Sequence, residues 1–344
     1  MNNSISVIIP VHNAELYLAE CIDSVIGQLD INDEIILVEN GSTDMSALIC
    51  EEYSRRFPNI IKYICCEIIG VSNARNEGIK AAVNEWITFV DSDDMLYDRA
   101  LLCIRNSKLP KNAEIIIAGY SRERNVKGAY DIEYKRVEGN ILVKSVLRFA
   151  KYKRAVNKIA YVDDFNNWTC WGKFYKRHFL VNNNIFFPIN VKLSEDTVFC
   201  FQSYCVASYV FSISNTVYYY RSNEQSAIHG YKRWLYENNL LVIQYIENYR
   251  RRYLKSSAIF RKDFAAFYAS KVIEVCRCMR DERYGKSAND KVLDLKKIYE
   301  IDCVDQAIKD AQYLFIVNGK KNNVIYALYL YYLKHHKYKR ACCK

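Results

Sequence analysis

Proline and glycine are scarce in this chain, at 4 and 11 of 344 residues. That excludes a long flexible linker and any collagen-like or low-complexity assembly. Repeats of fixed period are also missing. Acidic residues are absent from Ala311 to Lys344, where Lys320, Lys321, Lys334, Lys337, Lys339, Arg340 and Lys344 stand. Such an end favours anionic partners. The 13 cysteines lack the paired CxxC or Cys/His spacing of a zinc site: Cys65-Cys66, Cys276/Cys278 and Cys342-Cys343 are irregular, and Cys21, Cys50, Cys200 and Cys205 lie in apolar stretches. Met1-Asn2-Asn3-Ser4 does not resemble a signal peptide, so a reduced, cytoplasmic protein is expected. Charge is missing from Thr197 to Tyr220, which is long enough to raise a membrane span. Gln202, Asn215 and several serines interrupt it, and its two halves differ in character. A buried helix followed by a strand is expected instead.

What is present is a globular composition, 51% hydrophobic and 26% charged. Short apolar runs at Ile5–Pro10, Glu34–Glu39, Ile60–Cys65, Glu85–Val90 and Glu114–Tyr120 suit strands buried on both faces. Helical spacing fills the intervals: Ala14–Gln28 after Asn13, a helix capped by Asp44, and Ser72–Ala82. Alternation of this kind predicts an α/β fold, a mainly parallel sheet with helices on both faces. Ligands of such sheets bind beyond the strands' carboxyl ends. Beyond Tyr231 the periodicity is helical throughout. The expected domains are 1–230 and a helical C-terminal region, 231–344.

Asp91-Ser92-Asp93-Asp94 follows the run Trp86–Val90 directly. Acids crowded at one strand tip repel each other unless a cation sits among them. Mg²⁺ and Mn²⁺ are hard ions commonly held by one or two carboxylates plus substrate phosphates, so a metal–diphosphate site is one reading. The other is an acidic helix start, with Asp93 or Asp94 capping a helix from Met95.

Further segments occur in a fixed order: Ile8-Ile9-Pro10-Val11-His12-Asn13, Val38-Glu39-Asn40-Gly41-Ser42-Thr43-Asp44, Ser72-Asn73-Ala74-Arg75-Asn76-Glu77-Gly78, Phe89–Asp94, Trp171-Gly172-Lys173, Glu195-Asp196 and Tyr220-Arg221. Together they resemble the family-2 inverting glycosyltransferases of GT-A fold, particularly bacterial enzymes that build surface polysaccharides. The resemblance covers about residues 4–230. It implies a Rossmann-like, mixed, mainly parallel sheet and a bound Mn²⁺ or Mg²⁺. Asp93 would then be the direct metal ligand and Asp91 would orient ribose or metal-bound water, with Ser92 between them. His229 would be a further metal ligand. Pro10, His12, Asn13 and Asn40 would line the base and ribose crevice, and Arg75 would contact the nucleotide. Arg221 would close over the diphosphate, and Lys173 would touch phosphate or acceptor. Asp196 would be the catalytic base, with Glu195 supporting it or exchanging roles with it. His12 stands where relatives usually have Tyr, Glu39-Asn40 where they have Asp-Asp, and Gly172 where they have Asn.

The implied activity moves a hexose or N-acetylhexosamine from a nucleotide sugar, most simply UDP-linked, to a lipid-diphosphate-linked glycan of O-antigen or capsule assembly. The basic, Tyr-rich end is suited to peripheral contact at the inner membrane face, or to a docking helix with a solvated tail. A nucleotidyltransferase would need a Gly-rich phosphate loop where Val11-His12-Asn13-Ala14 stands. A non-catalytic sugar-nucleotide or anion-binding module would not need Asp196. No nucleic-acid motif is found.

Overall fold

The computed structural model describes residues 3–105, 110–124, 134–148, 168–222, 231–254, 260–301, 303–311 and 320–343. The chain divides into two compact units, one of residues 1–142 and 158–224, the other of 143–157 and 225–344.

In the first unit β1 (Ile5–Val11), β2 (Glu34–Glu39), β3 (Ile61–Cys65) and β4 (Trp86–Phe89) are joined by α1 (Leu18–Ile26), α2 (Ser46–Arg56) and α3 (Val71–Ala81). There follow β5 (Met95–Leu96), α4 (Ala100–Arg105), β6 (Ile115–Ser121), β7 (Tyr134–Val137) and α5 (Gly139–Arg148), whose residues from Val143 on belong to the second unit. Then come β8 (Lys173–Lys176), α6 (Arg177–Asn182), α7 (Glu195–Val206) and β9 (Val210–Tyr219). They form a nine-stranded mixed sheet in the order β3-β2-β1-β4-β8-β6-β9-β5, with β7 paired to β9. The first four strands are mutually parallel, and β8 runs antiparallel between β4 and β6. Every residue of β1 is buried, as a strand covered on both faces requires. Helix α3 approaches that strand so closely that a Cβ on Gly78 would meet Ile8 Cγ2 at 2.4 Å. This contact fixes the height of α3, and of Arg75 within it, over the sheet.

Local chemistry explains where the elements depart from expectation. Helix α1 begins at Leu18 because Asn13 is left-handed (φ 50°) and does not cap it. The Asn13 Oδ1 instead accepts the Thr43 N–H at 2.8 Å, tying the end of β1 to the loop after β2. The N-cap of α2 is Met45, without a side-chain cap; Asp44 stands one residue earlier, its Oδ1 accepting the N–H of Ser46, the first residue of α2, at 2.9 Å. Met95 opens no helix, since Met95 and Leu96 pair antiparallel with Tyr219 and Tyr218. The uncharged stretch becomes α7 followed by β9, and among the described residues no helix is long and apolar enough to cross a membrane.

The second unit is helical: α8 (Leu235–Tyr253), α9 (Arg261–Met279), α10 (Ala288–Tyr299), α11 (Val304–Asp310), α12 (Lys320–Lys334) and α13 (Tyr338–Cys342). Helix α9 is apolar around most of its circumference and packs against each of the other five. Buried Glu247 on α8 takes hydrogen bonds from Arg250 Nε at 2.6 Å, Arg251 Nε at 2.8 Å and the Tyr268 hydroxyl of α9 at 3.0 Å. Burial pushes this carboxyl up, but the two arginines outweigh it and hold it at about 2. A depressed acid contributes stability that is complete above its unfolded value and lost as pH falls through the folded one. Glu247→Gln is therefore expected to cost about 1–3 kcal/mol at neutral pH. It should also flatten the loss of stability between about pH 4.5 and 2, as urea titrations across that range would show.

Candidate active site

The site grows from the carboxyl end of β4. The Asp94 N–H donates to the Asp91 carbonyl at 2.9 Å, closing the acidic segment into a tight turn. Asp94 points inward: its Oδ2 accepts the Tyr218 hydroxyl at 2.6 Å and its Oδ1 the Arg221 N–H at 2.8 Å. The same Tyr218 oxygen accepts the Asp91 N–H at 3.1 Å. Burial, reinforced by Asp91 and Asp93, pushes Asp94 up to about 8 against the Tyr218 hydrogen bond. Asp94 thus anchors β9 to the acidic tip. Asp91, Ser92 and Asp93 remain partly exposed.

Arg75 stands beside this turn on the second turn of α3. Its Nη2 donates to Asp91 Oδ1 at 2.8 Å, and its Nη1 to Asp196 Oδ1 at 2.7 Å and Glu195 Oε1 at 3.0 Å. One guanidinium, 4% exposed, therefore joins the strand tip to the first turn of α7. Its underside lies over the Phe187 ring at 5.2 Å. Phe187 is fixed in turn by paired backbone bonds to the Asn76 amide, at 2.8 and 2.9 Å. The second oxygen of Asp196 accepts the Cys170 N–H at 3.3 Å. Ser194, just before α7, is held left-handed at φ 73°, a strained geometry for a residue with a side chain. Both acids sit where the helix dipole favours negative charge. Burial still dominates: it pushes Glu195 up to about 7, with Asp196 adding to it and Arg75 opposing. Asp196 is raised too, by burial first, against Arg75 and with Asp91 adding.

The predicted base crevice forms at the ends of β1 and β2. Pro10 is buried within β1, and His12 is exposed beyond it with Nδ1 2.9 Å from the Asn40 carbonyl oxygen. Asn40 departs from expectation. Its amide donates to the Ile68 carbonyl at 2.9 Å and accepts the Gly70 N–H at 2.5 Å, which occupies its polar edge with backbone. Asn40 braces the loop entering α3, and His12 and Asn13 are left as the exposed polar groups there.

Lys173 is a correction. It is 1% exposed, its ammonium donating to the Thr169 carbonyl at 2.6 Å, so phosphate does not reach it. Burial lowers its pKa. Lys173 braces the loop that carries the Cys170 N–H to Asp196. Trp171 is core, stacked on Tyr218 at 4.4 Å. Arg221 donates from Nε to the Asp93 carbonyl at 2.8 Å and from Nη2 to Glu20 at 2.6 Å, holding the acidic turn from its outer side. His229 lies outside the described residues.

Residues 6–171 match the family described as "Glycosyl transferase family 2". The chain carries a family 2 glycosyltransferase domain. Similar proteins include the glycosyltransferase GlyA of Streptococcus pneumoniae, 31% identical over 66% of this chain and 32% of GlyA. The putative glycosyltransferase EpsH of Bacillus subtilis is 26% identical over 90% of this chain and 85% of EpsH. Among solved structures, Staphylococcus aureus TarS 1-349 in complex with UDP-GlcNAc superposes with a TM-score of 0.64 at 19% identity, covering 98% of this chain and 90% of that one. At that identity the likeness establishes the GT-A fold. The chain spans about a third of the length of GlyA.

The glycosyltransferase domain offers a divalent ion only hard oxygen donors. Arg75 faces three carboxylates, Asp91, Glu195 and Asp196, and Asp93 adds another acid beside Asp91. That excess of negative charge, and the partly exposed oxygens of Asp91 and Asp93, fit Mg²⁺ or Mn²⁺. Among the described residues no group of three or more His, Cys, Asp or Glu side chains forms a ready-made cage. An ion at this tip would therefore need substrate phosphate to complete its shell. Four participants carry no local sequence signal: Cys170 acts through its backbone, Phe187 through a ring under Arg75, and Tyr218 and Glu20 through contacts across the fold.

Proposed function

We propose that this chain is an inverting, metal-dependent glycosyltransferase that moves a hexose or N-acetylhexosamine from a UDP-sugar to a lipid-diphosphate-linked glycan in surface-polysaccharide assembly, O-antigen or capsule, at the cytoplasmic face of the membrane. The observation that carries this reading is the Arg75 bridge, which joins a donor-side acid, Asp91, to the carboxylate pair Glu195/Asp196. His12 and Asn13 supply polar contacts to base and ribose. Asp196 takes the proton of the acceptor hydroxyl as that oxygen bonds to the anomeric carbon. The bond from that carbon to the diphosphate breaks, UDP leaves, and attack from the opposite face inverts the centre. Arg75 and the Cys170 N–H hold Asp196 in place, and Glu195 supports the acceptor. When bound by Asp93 and Asp91, the divalent ion supplies Lewis-acid neutralisation of the departing diphosphate. His229 is proposed as a further ligand, and Arg221 as the support that keeps the Asp93 turn in place beside the diphosphate.

A second acceptor reading, a polyol-phosphate polymer, is favoured by the names of two relatives, both poly(ribitol-phosphate) glycosyltransferases. Full-length TarS, 26% identical over 64% of this chain and 36% of its own length, is named a poly(ribitol-phosphate) beta-N-acetylglucosaminyltransferase. Incubation with a panel of UDP-sugars, lipid-diphosphate saccharides and poly(ribitol phosphate), with products read by mass spectrometry and anomeric configuration by NMR, tests both. Transfer with inversion that stops with chelator is expected; retained configuration or metal-independent turnover overturns the mechanism. Because an ion would need phosphate to complete its shell, UDP and Mn²⁺ should each tighten the other's binding. Asp93→Ala should abolish that mutual effect, weakening Mn²⁺ binding in the presence of UDP by about 10–100-fold in calorimetric titration.

A further inference from the structure

The helical unit contains a cavity of about 1270 Å³. It is larger than the usual small-molecule site of about 300–1,000 Å³. Arg280, Lys296, Lys337, Lys339 and Arg340 line it, and no acidic residue does. Among the described residues none of these five cations has a carboxylate partner. Arg280 donates to the Arg340 carbonyl at 2.9 Å, and Lys337 to the Tyr331 hydroxyl at 3.1 Å. Elsewhere in the same unit basic side chains are paired: Arg250 and Arg251 with Glu247, Arg261 with Asp310, Lys286 with Asp294. The cavity's cations are therefore concentrated and uncompensated. Beside them the wall is apolar, formed by Val292 and by two strongly exposed leucines, Leu293 on α10 (56%) and Leu328 on α12 (48%). Tyr329 and Tyr332 add amphipathic rings. Uncompensated positive charge over exposed apolar surface matches a molecule carrying phosphate at one end and hydrocarbon at the other.

We propose that this cavity docks the chain on an anionic lipid surface, lipid phosphate lying against Arg280, Lys339 and Arg340 and the upper acyl region against Leu293 and Leu328. It deepens the proposed function by giving the chain a means of staying where a lipid-linked acceptor is found. The test contains no sugar donor, so its outcome is separate from that of the transfer assay. The full chain is sedimented with phosphatidylcholine vesicles, alone or mixed with phosphatidylglycerol. Pelleting is expected only with the mixed vesicles. Each basic residue near an anionic surface contributes about fivefold to partitioning, so Lys339→Ala/Arg340→Ala should weaken it about 30-fold. Both side chains are exposed, so the variant keeps the wild-type fold and circular dichroism. Leu293→Asn, which removes the apolar contact without adding charge, should weaken partitioning by a factor that does not change with salt. Undiminished pelleting of the double variant overturns the proposal. So does undiminished pelleting of Leu293→Asn together with full displacement by soluble polyphosphate, which would mark a site for a soluble polyanion. Equal affinity for single-stranded nucleic acid would overturn it likewise.

Discussion

Asp196→Asn is expected to leave UDP-sugar affinity within a few-fold of the unaltered chain while turnover falls about 10²–10⁴-fold, the usual contribution of a positioned base. The substitution preserves size, and the surroundings show what an amide would lose. Asp196 accepts from Arg75 on one oxygen and from the Cys170 N–H on the other. An amide has a single accepting oxygen, so either orientation leaves an NH₂ facing a donor. The side chain can still hold the loop through one bond, but it can no longer take a proton. The proposed nucleotide site at the ends of β1, β2 and β4 is left untouched. Calorimetry with UDP and Mn²⁺, beside steady-state turnover, separates the two effects. Undiminished turnover would transfer the base role to Glu195, whose carboxyl burial raises to about 7 and which shares the same guanidinium. Glu195→Gln would then show the larger loss.

Much of the fold was legible because its signals are local. The Ile5–Pro10 run appears as β1, and α2 begins two residues after Asp44, whose Oδ1 accepts the first helical N–H. The failures share one cause, pairing between distant segments. Asp-Ser-Asp-Asp before Met95 is a good helix-start signal, but Met95 and Leu96 bond to strand residues more than a hundred positions later. By the family resemblance Lys173 would touch phosphate or acceptor. Its strand instead pairs antiparallel with both β4 and β6, which turns the ammonium into the interior. The family resemblance places Asn40 in the base crevice. That its amide would be occupied by the backbone of 68 and 70 depends on how the loop after β3 folds back. Individual site residues were visible as motifs. Their connection through Arg75 was not, because it exists only once α3, the tip of β4 and α7 converge.

Arg75→Met is expected to lower stability by about 3–5 kcal/mol, the usual consequence of removing one partner from a buried ion cluster. The residue is 4% exposed and, among the described residues, carries the counter-charge that Asp91, Glu195 and Asp196 share. Arg75→Lys should recover little of this. A guanidinium reaches Asp91 from one nitrogen and the α7 pair from the other in a rigid fork, which a single ammonium cannot span. The resemblance to family-2 enzymes suggests a different role, direct contact with the nucleotide, and the two have opposite signatures. If Arg75 mainly serves the carboxylates, Arg75→Met should unfold at lower urea, and adding Glu195→Gln and Asp196→Asn should restore stability without restoring turnover. Removing the uncompensated acids removes the penalty but also the base. If Arg75 mainly serves the nucleotide, the single variant should keep its unfolding midpoint and lose UDP affinity, and the added substitutions should change neither. Urea unfolding of the single and triple variants, with UDP titrations on the same samples, decides between them. The bridge predicts a non-additive stability gain in the triple variant, because all three side chains belong to one network.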